Sequence, residues 1–257
     1  MTDWTWPSPQ SGRSGWRTRM PGSMRLGTEN PCPGRDRNGL MGRASLARAM
    51  PDRMRPMRMD APLAQTLCAR LCHDLGGAVG ALAGTLDLAG EGDAEMLALA
   101  RETATALRQR LRLYAAAWGG AAEAADAEAL RCLLDGAPCA PRIRFVTEPL
   151  SPGRPLPATL VPLALNAALL AAEALPRGGT VTLAGSATAG LLVRPEGRDA
   201  AWPPGLPALL GGAAAPEEGP RRVLGPWLLA LAAAAGWTAG LAPGEATGAP
   251  ALRLAPA

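Results

Sequence analysis

The chain of 257 residues reads as an α+β protein, an N-terminal helical hairpin that forms a dimeric four-helix bundle followed by an α/β sandwich. Three observations predict this. Residues 60–118 carry two long apolar stripes of helical period, separated by the break Gly90-Glu91-Gly92. Beyond Arg142 the pattern changes, and short β-type runs alternate with helical ones. Residues 1–59 resemble neither part, being rich in Arg, Pro, Gly and Ser without apolar periodicity.

That first segment is expected to be a disordered extension on composition alone. It holds eight of the nine methionines, so a misassigned start, with translation from Met50, Met54, Met57 or Met59, is a second reading. Pro7, Pro9, Pro21, Pro31 and Pro33 spoil the amphipathic helix that a mitochondrial presequence needs. Trp4, Trp6 and Trp16 lie near arginines, a composition that would also suit a nucleic-acid tail.

The hairpin is expected over residues 60–122. Asp60 caps its first helix and Pro62 falls in the first turn. At 100° per residue, Leu63, Leu67, Leu71, Leu75, Val79, Leu82 and Leu86 fall in a stripe roughly 160° wide, and the helix runs to about Ala89. Asp93 caps the second helix. Leu97, Ala100, Ala104, Leu107, Leu111, Tyr114 and Trp118 follow at spacings of three and four, and Gly119-Gly120 ends the run. A turn this short forces an antiparallel pair. Two helices cannot enclose both seams, so a homodimer making a four-helix bundle is expected.

The sandwich is expected over residues 126–257, after the acidic joint of Glu123, Asp126 and Glu128. A short helix spans 127–134, a strand 142–147 and a long apolar helix 156–175, closed by Pro176-Arg177-Gly178-Gly179. Residues 180–184 and 191–194 form a hairpin. A Pro/Gly-rich loop of roughly 25 residues leads to a helix over 222–235, and weak strands at 239–241 and 251–254 finish the chain.

Composition narrows the function. There is no Lys, so all 26 basic residues are Arg. The net charge of +4 divides unevenly: residues 1–60 hold 11 Arg against 5 acids, the remainder 15 against 17. The nearly neutral remainder argues against nucleic acid as a partner. The five cysteines lack metal-ligand spacing, and no metal site is expected; Cys68 and Cys72, one turn apart, read as small core residues. The most apolar run, 156–175, contains Pro157, Pro162, Asn166 and Glu173, which makes it a buried helix rather than a membrane span. A soluble, cytoplasmic protein is expected.

The single histidine, His73, lies in Leu71-Cys72-His73-Asp74-Leu75, roughly opposite the middle of the first helix's apolar stripe. It should therefore face solvent. Gly76, Gly77 and Gly80 share its face, and together they cost the helix about 2–3 kcal/mol relative to alanine. A surface cleared for a docking partner is one reason to tolerate that cost.

An exposed His-Asp pair on a dimeric hairpin, with a sandwich behind it, is the plan of a histidine kinase. More narrowly, the chain from residue 60 onward resembles the ChpT-type histidine phosphotransferases of alphaproteobacteria. The resemblance rests on Leu71-Cys72-His73-Asp74-Leu75 with Val79-Gly80-Ala81, on Asn166-Ala-Ala-Leu-Leu-Ala-Ala-Glu-Ala-Leu-Pro-Arg-Gly-Gly179, and on the Ala-Ala-Gly-Trp pattern ending at Trp237. It departs from the family at Ala78, where a Pro is common, and at Gly76 and Gly77.

The resemblance implies a DHp-like dimerisation and phosphotransfer hairpin and a degenerate kinase ATPase domain. It implies a phosphoryl group taken from the receiver of a hybrid histidine kinase onto His73 and passed to response regulators, as in a CckA–CtrA-type relay. Mg²⁺ would come from the receiver, and no cofactor is expected on this chain. Loss of ATP handling agrees with the residues themselves. Where a kinase needs an Asp-x-Gly-x-Gly loop the chain reads Arg194-Pro195-Glu196-Gly197-Arg198-Asp199, and Asn166 has no neighbouring acid to share an ion; it reads as a helix polar group satisfied locally.

For the chemistry, an ordinary imidazole titrates near ~6.5 and is largely neutral at neutral pH, as a nucleophile must be. Nε2 of His73 is expected to attack while Asp74 orients the ring or helps remove its proton. Asp74 could instead be only a hydrophilic flank of the bundle. Arg70, one turn earlier, either offsets phosphate charge or is a solvated helix arginine. Two other readings remain at this point: a dimeric scaffold that binds receivers without chemistry, and an ATP-dependent kinase fragment.

Overall fold

The computed structural model describes residues 61–90, 92–120, 122–151, 153–213, 222–242 and 249–257. The expected extension at 1–59 and the cap at Asp60 lie outside them. Helices α1 (Ala61–Leu88) and α2 (Ala94–Trp118) make the hairpin. Asp93 caps α2 as its sequence position predicts, its side chain accepting from the backbone N–H of Met96 at 3.1 Å. Leu67, Ala100, Leu113, Tyr114 and Ala117 are buried along the hairpin, and all of them except Ala100 belong to one core cluster with residues of the second domain.

Helix α3 (Ala127–Leu134) is capped by Asp126, which accepts from the N–H of Ala129 at 2.8 Å. Strand β1 (Ile143–Val146) follows, then α4 (Val161–Glu173), β2 (Gly179–Ser186), β3 (Gly190–Glu196), the short α5 (Leu206–Leu210), α6 (Leu224–Ala235), β4 (Trp237–Leu241) and β5 (Leu252–Pro256). The five strands form one mixed sheet in the order β1-β2-β3-β5-β4, with β1 parallel to β2 and the other pairs antiparallel. The fold class is therefore α+β. Helices α4 and α6 pack against each other and against the sheet, and α2 packs onto α4.

Three sequence expectations need correction. The apolar helix begins at Val161, not at residue 156: Leu156 instead pairs with Ala125 across an isolated bridge, and Pro162, which has no N–H to bond, stands in the first turn. The loop after β3 contains α5, whose five residues are too few to show a period. Cys68 and Cys72 are exposed, not core residues, because the side of α1 that packs on the core is the one carrying Leu63, Leu67 and Leu71.

Helix α4 positions the site. From Leu163 to Leu170 every residue is buried, so the helix has no free face; the sheet lies beneath it and the end of α2 above. Gly178 and Gly179, at φ 80° and 145°, make the turn into β2. A Cβ on Gly178 would stand 2.4 Å from the carbonyl oxygen of Arg142, so this approach of chain to chain admits only glycine.

Candidate functional site

His73 sits in the middle of α1 with its side chain 64% exposed, as its helical position predicts. Asp74, the next residue, is turned inward and only 9% exposed. Its two oxygens are used differently. Oδ2 accepts from Arg70 Nε and from the Tyr114 hydroxyl, each at 2.7 Å. Oδ1 lies 3.1 Å from His73 Nδ1. A carboxylate only accepts, so this last bond requires the tautomer with its proton on Nδ1, which leaves the lone pair on Nε2.

The network reaches into the second domain. Arg70 donates through Nη1 to Glu173 of α4 at 2.8 Å. Tyr114 stacks on Trp118, with ring centroids 4.2 Å apart and planes 12° from parallel. Trp118 donates its Nε1–H to Asn166 Oδ1 at 2.8 Å, and the Asn166 amide nitrogen donates to the carbonyls of Ala117 and Pro162. Asn166 is thus not satisfied only within its own helix, as the sequence suggested; two of its three bonds cross to α2. Arg110 Nη1 donates to the backbone carbonyl of Asp74 at 2.8 Å.

The electrostatics follow from these contacts. Burial alone would raise the Asp74 carboxyl, but the bonds from Arg70, Tyr114 and His73 outweigh it and hold the group below its ordinary value. Burial likewise disfavours the Arg70 guanidinium, and Asp74 and Glu173 more than offset this, so its pKa rises. Burial and the neighbouring carboxylate both raise the Tyr114 hydroxyl, which stays a donor. Asp74 is therefore a fixed anion and Arg70 a fixed cation at neutral pH.

An open cleft of about 970 Å³ separates this part of the hairpin from the second domain, with His73, Asp74, Trp118, Cys139, Glu173 and Trp202 in its lining. Cys139 is no nucleophile there, since burial pushes its thiol up to about 11. Gly76, Gly77 and Gly80 are exposed, and a Cβ on any of them would meet nothing within 4 Å. Among the described residues no three His, Cys, Asp or Glu side chains are grouped to hold a metal ion. No described helix is long and apolar enough to cross a membrane.

Of the residues singled out in the sequence, the structure brings His73, Asp74 and Arg70 into one hydrogen-bonded group, while the three glycines form bare surface on the same helix. Sequence reasoning missed Glu173 and Tyr114. Both left a signal: Glu173 is the single charge in the largely apolar α4, and Tyr114 is the only tyrosine and lies in the α2 seam.

Residues 127–247 match the family model of the histidine phosphotransferase C-terminal domain. Among solved structures, one described as a 1.7 Angstrom structure of a bacterial phosphotransferase is 28% identical, covering 76% of this chain and 96% of its own with a TM-score of 0.61. No curated protein matches in sequence. The second domain of this chain is thus of the histidine phosphotransferase kind, and the two matches bear out its resemblance to the ChpT-type histidine phosphotransferases.

Proposed function

We propose that this chain is the histidine phosphotransferase of a two-component phosphorelay, and that His73 carries the phosphoryl group. One observation carries the reading: a well-exposed imidazole has its Nδ1 tied to a fixed carboxylate, which leaves Nε2 as the nucleophile. In the forward step the Nε2 lone pair attacks the phosphorus of a receiver's aspartyl phosphate. The N–P bond forms, the P–O bond to the aspartate breaks, and the carboxylate leaves with the electron pair. The ring is then cationic with its proton on Nδ1, beside the Asp74 anion that stabilises it. Transfer onward to a response regulator is the reverse of this step with a different aspartate. Mg²⁺ would come from the acidic pocket of the receiver, and a CckA–CtrA-type relay is the setting that the resemblance implies.

Two features of the chain support transfer without autophosphorylation. Asn166, which a kinase would use to hold magnesium, has its amide committed to Trp118, Ala117 and Pro162. The strand end where an adenine-reading loop belongs carries Arg198 and Asp199 instead, with Asp199 paired to Arg177 at 2.9 Å. The second domain is on this reading a degenerate ATPase domain that supports the hairpin.

The hairpin also supports a homodimer. Val79, Leu86, Leu97 and Leu111 remain 42–50% exposed in one chain, and they fall on the two seams of three- and four-residue spacing. A second hairpin covering them completes a four-helix bundle.

The test is phosphotransfer with ³²P from a phosphorylated hybrid-kinase receiver and Mg²⁺, beside a reaction with ATP alone. Label that needs the receiver and is lost in His73→Gln is the expected result. Label from ATP alone makes the protein a kinase, and no label in either reaction leaves a scaffold.

A further inference from the structure

We infer that the second domain sets the reactivity of His73 without touching it, through Glu173 and Tyr114 acting as positioning residues for the Asp74 carboxylate. This rests on His73 being the phosphoacceptor. With Arg70 Nε and the Tyr114 hydroxyl both on Oδ2 at 2.7 Å, the carboxylate plane is fixed and only Oδ1 is left for the His73 ring. Remove either donor and the group can rotate about its own axis, so that Nδ1 of an exposed imidazole loses this acceptor.

Neither donor is self-supporting. An arginine one turn from an aspartate on an open helix is held too weakly by that pair alone to keep one rotamer. Here Glu173 takes the far side of the Arg70 guanidinium at 2.8 Å, from a helix whose neighbouring residues are almost wholly buried and which therefore cannot shift. Tyr114 is held by its stack on Trp118, and Trp118 by Asn166 of the same helix. Asn166 and Glu173 lie seven residues apart, two turns along one side of α4. One rigid helix thus grips Asp74 by two routes, through α1 and through α2, and each ends on the same oxygen. The second domain, having no need to present ATP, is used as the frame that fixes a tautomer on the hairpin. This is the logic by which an outer partner fixes a ligating or catalytic histidine elsewhere.

The chain's single histidine makes the test direct, because one ¹⁵N-labelled imidazole gives one pair of ring-nitrogen signals. The full chain is compared with Tyr114→Phe, which keeps the ring and its stack, and with Glu173→Gln, which keeps the length of the side chain. Two quantities are read: the fraction of the neutral ring protonated on Nδ1, and the rate of ³²P transfer from a phosphorylated receiver. Wild type is expected to hold the Nδ1–H form, and both variants to shift toward the Nε2–H form that free histidine prefers in water. Transfer should slow by about tenfold or more in each. Unchanged tautomer and rate in both variants, with wild type still labelled, overturn the inference and leave the phosphotransferase reading intact. A change in rate without a change in tautomer, or the reverse, also overturns it, since the role claimed is positioning of the ring. Failure of wild type to take label at all removes the function reading, and this inference falls with it.

Discussion

Asp74 is where the chemistry and the stability of this protein meet. The asparagine variant Asp74→Asn keeps the shape but removes the charge that binds Arg70 and stabilises a phosphorylated, cationic ring. Transfer is expected to drop by about 10²-fold or more, the scale on which positioned acid–base groups act, in a single-turnover assay. The same carboxylate has a consequence for acid stability. Its folded value lies below the ordinary one, so its contribution is complete above the usual carboxylate range, near ~3.9, and is lost as pH falls through the lower folded value. Below that range wild type should lose stability more steeply than Asp74→Asn, which a series of urea midpoints against pH would read. A second residue carries a stability prediction alone. Asn166→Ala strands the Trp118 Nε1–H and the carbonyl of Ala117 in a buried place, which should cost about 1–3 kcal/mol in urea unfolding.

At the scale of the element, α1 combines helix-breaking residues with a reactive one. Gly76 and Gly77 each lie in open space on the helix surface, so alanine at either fits without contact and should raise stability by about 0.8–1 kcal/mol. Thermal unfolding of Gly76→Ala and Gly77→Ala checks this. If the bare surface is where a receiver sits, the same variants should transfer more slowly while melting higher, a combination that a simple packing defect does not produce. The elements themselves were largely legible. Both hairpin helices, the short helix at 127–134 and the antiparallel hairpin of β2 and β3 follow from period and capping residues, because each pattern runs long enough to be counted. The start of α4 was not, since Leu156 and the residues after it are as apolar as the helix, and only the bridge to Ala125 separates them. At the site, His73 and Asp74 were legible as neighbours on one helix. The partners that fix them were not, because Glu173 lies 103 residues from Arg70 and Trp118 lies 48 from Asn166, separations on which no local period bears.

At the scale of the whole molecule, the distribution of exposed apolar side chains decides what a second copy would do. Val79, Leu86, Leu88, Leu97, Leu99 and Leu111 are all on the hairpin, while among the described residues of the second domain no large apolar side chain is exposed. The contrast follows from the sheet and its helices covering one another, whereas the hairpin has a cover on only one side. A mass of about twice 26.3 kDa is expected by light scattering coupled to size exclusion. Leu111→Glu, with a charge placed mid-seam on a residue already 47% exposed, should shift that mass to the monomer and lower the melting temperature. It should do so without abolishing phosphotransfer, because His73, Asp74, Arg70, Tyr114 and Glu173 come together within one chain. A wild-type mass of one chain would refute the bundle. A folded monomeric variant that takes no label would show instead that the site needs the partner hairpin, and that the second copy supplies part of the chemistry rather than only a cover for the seam.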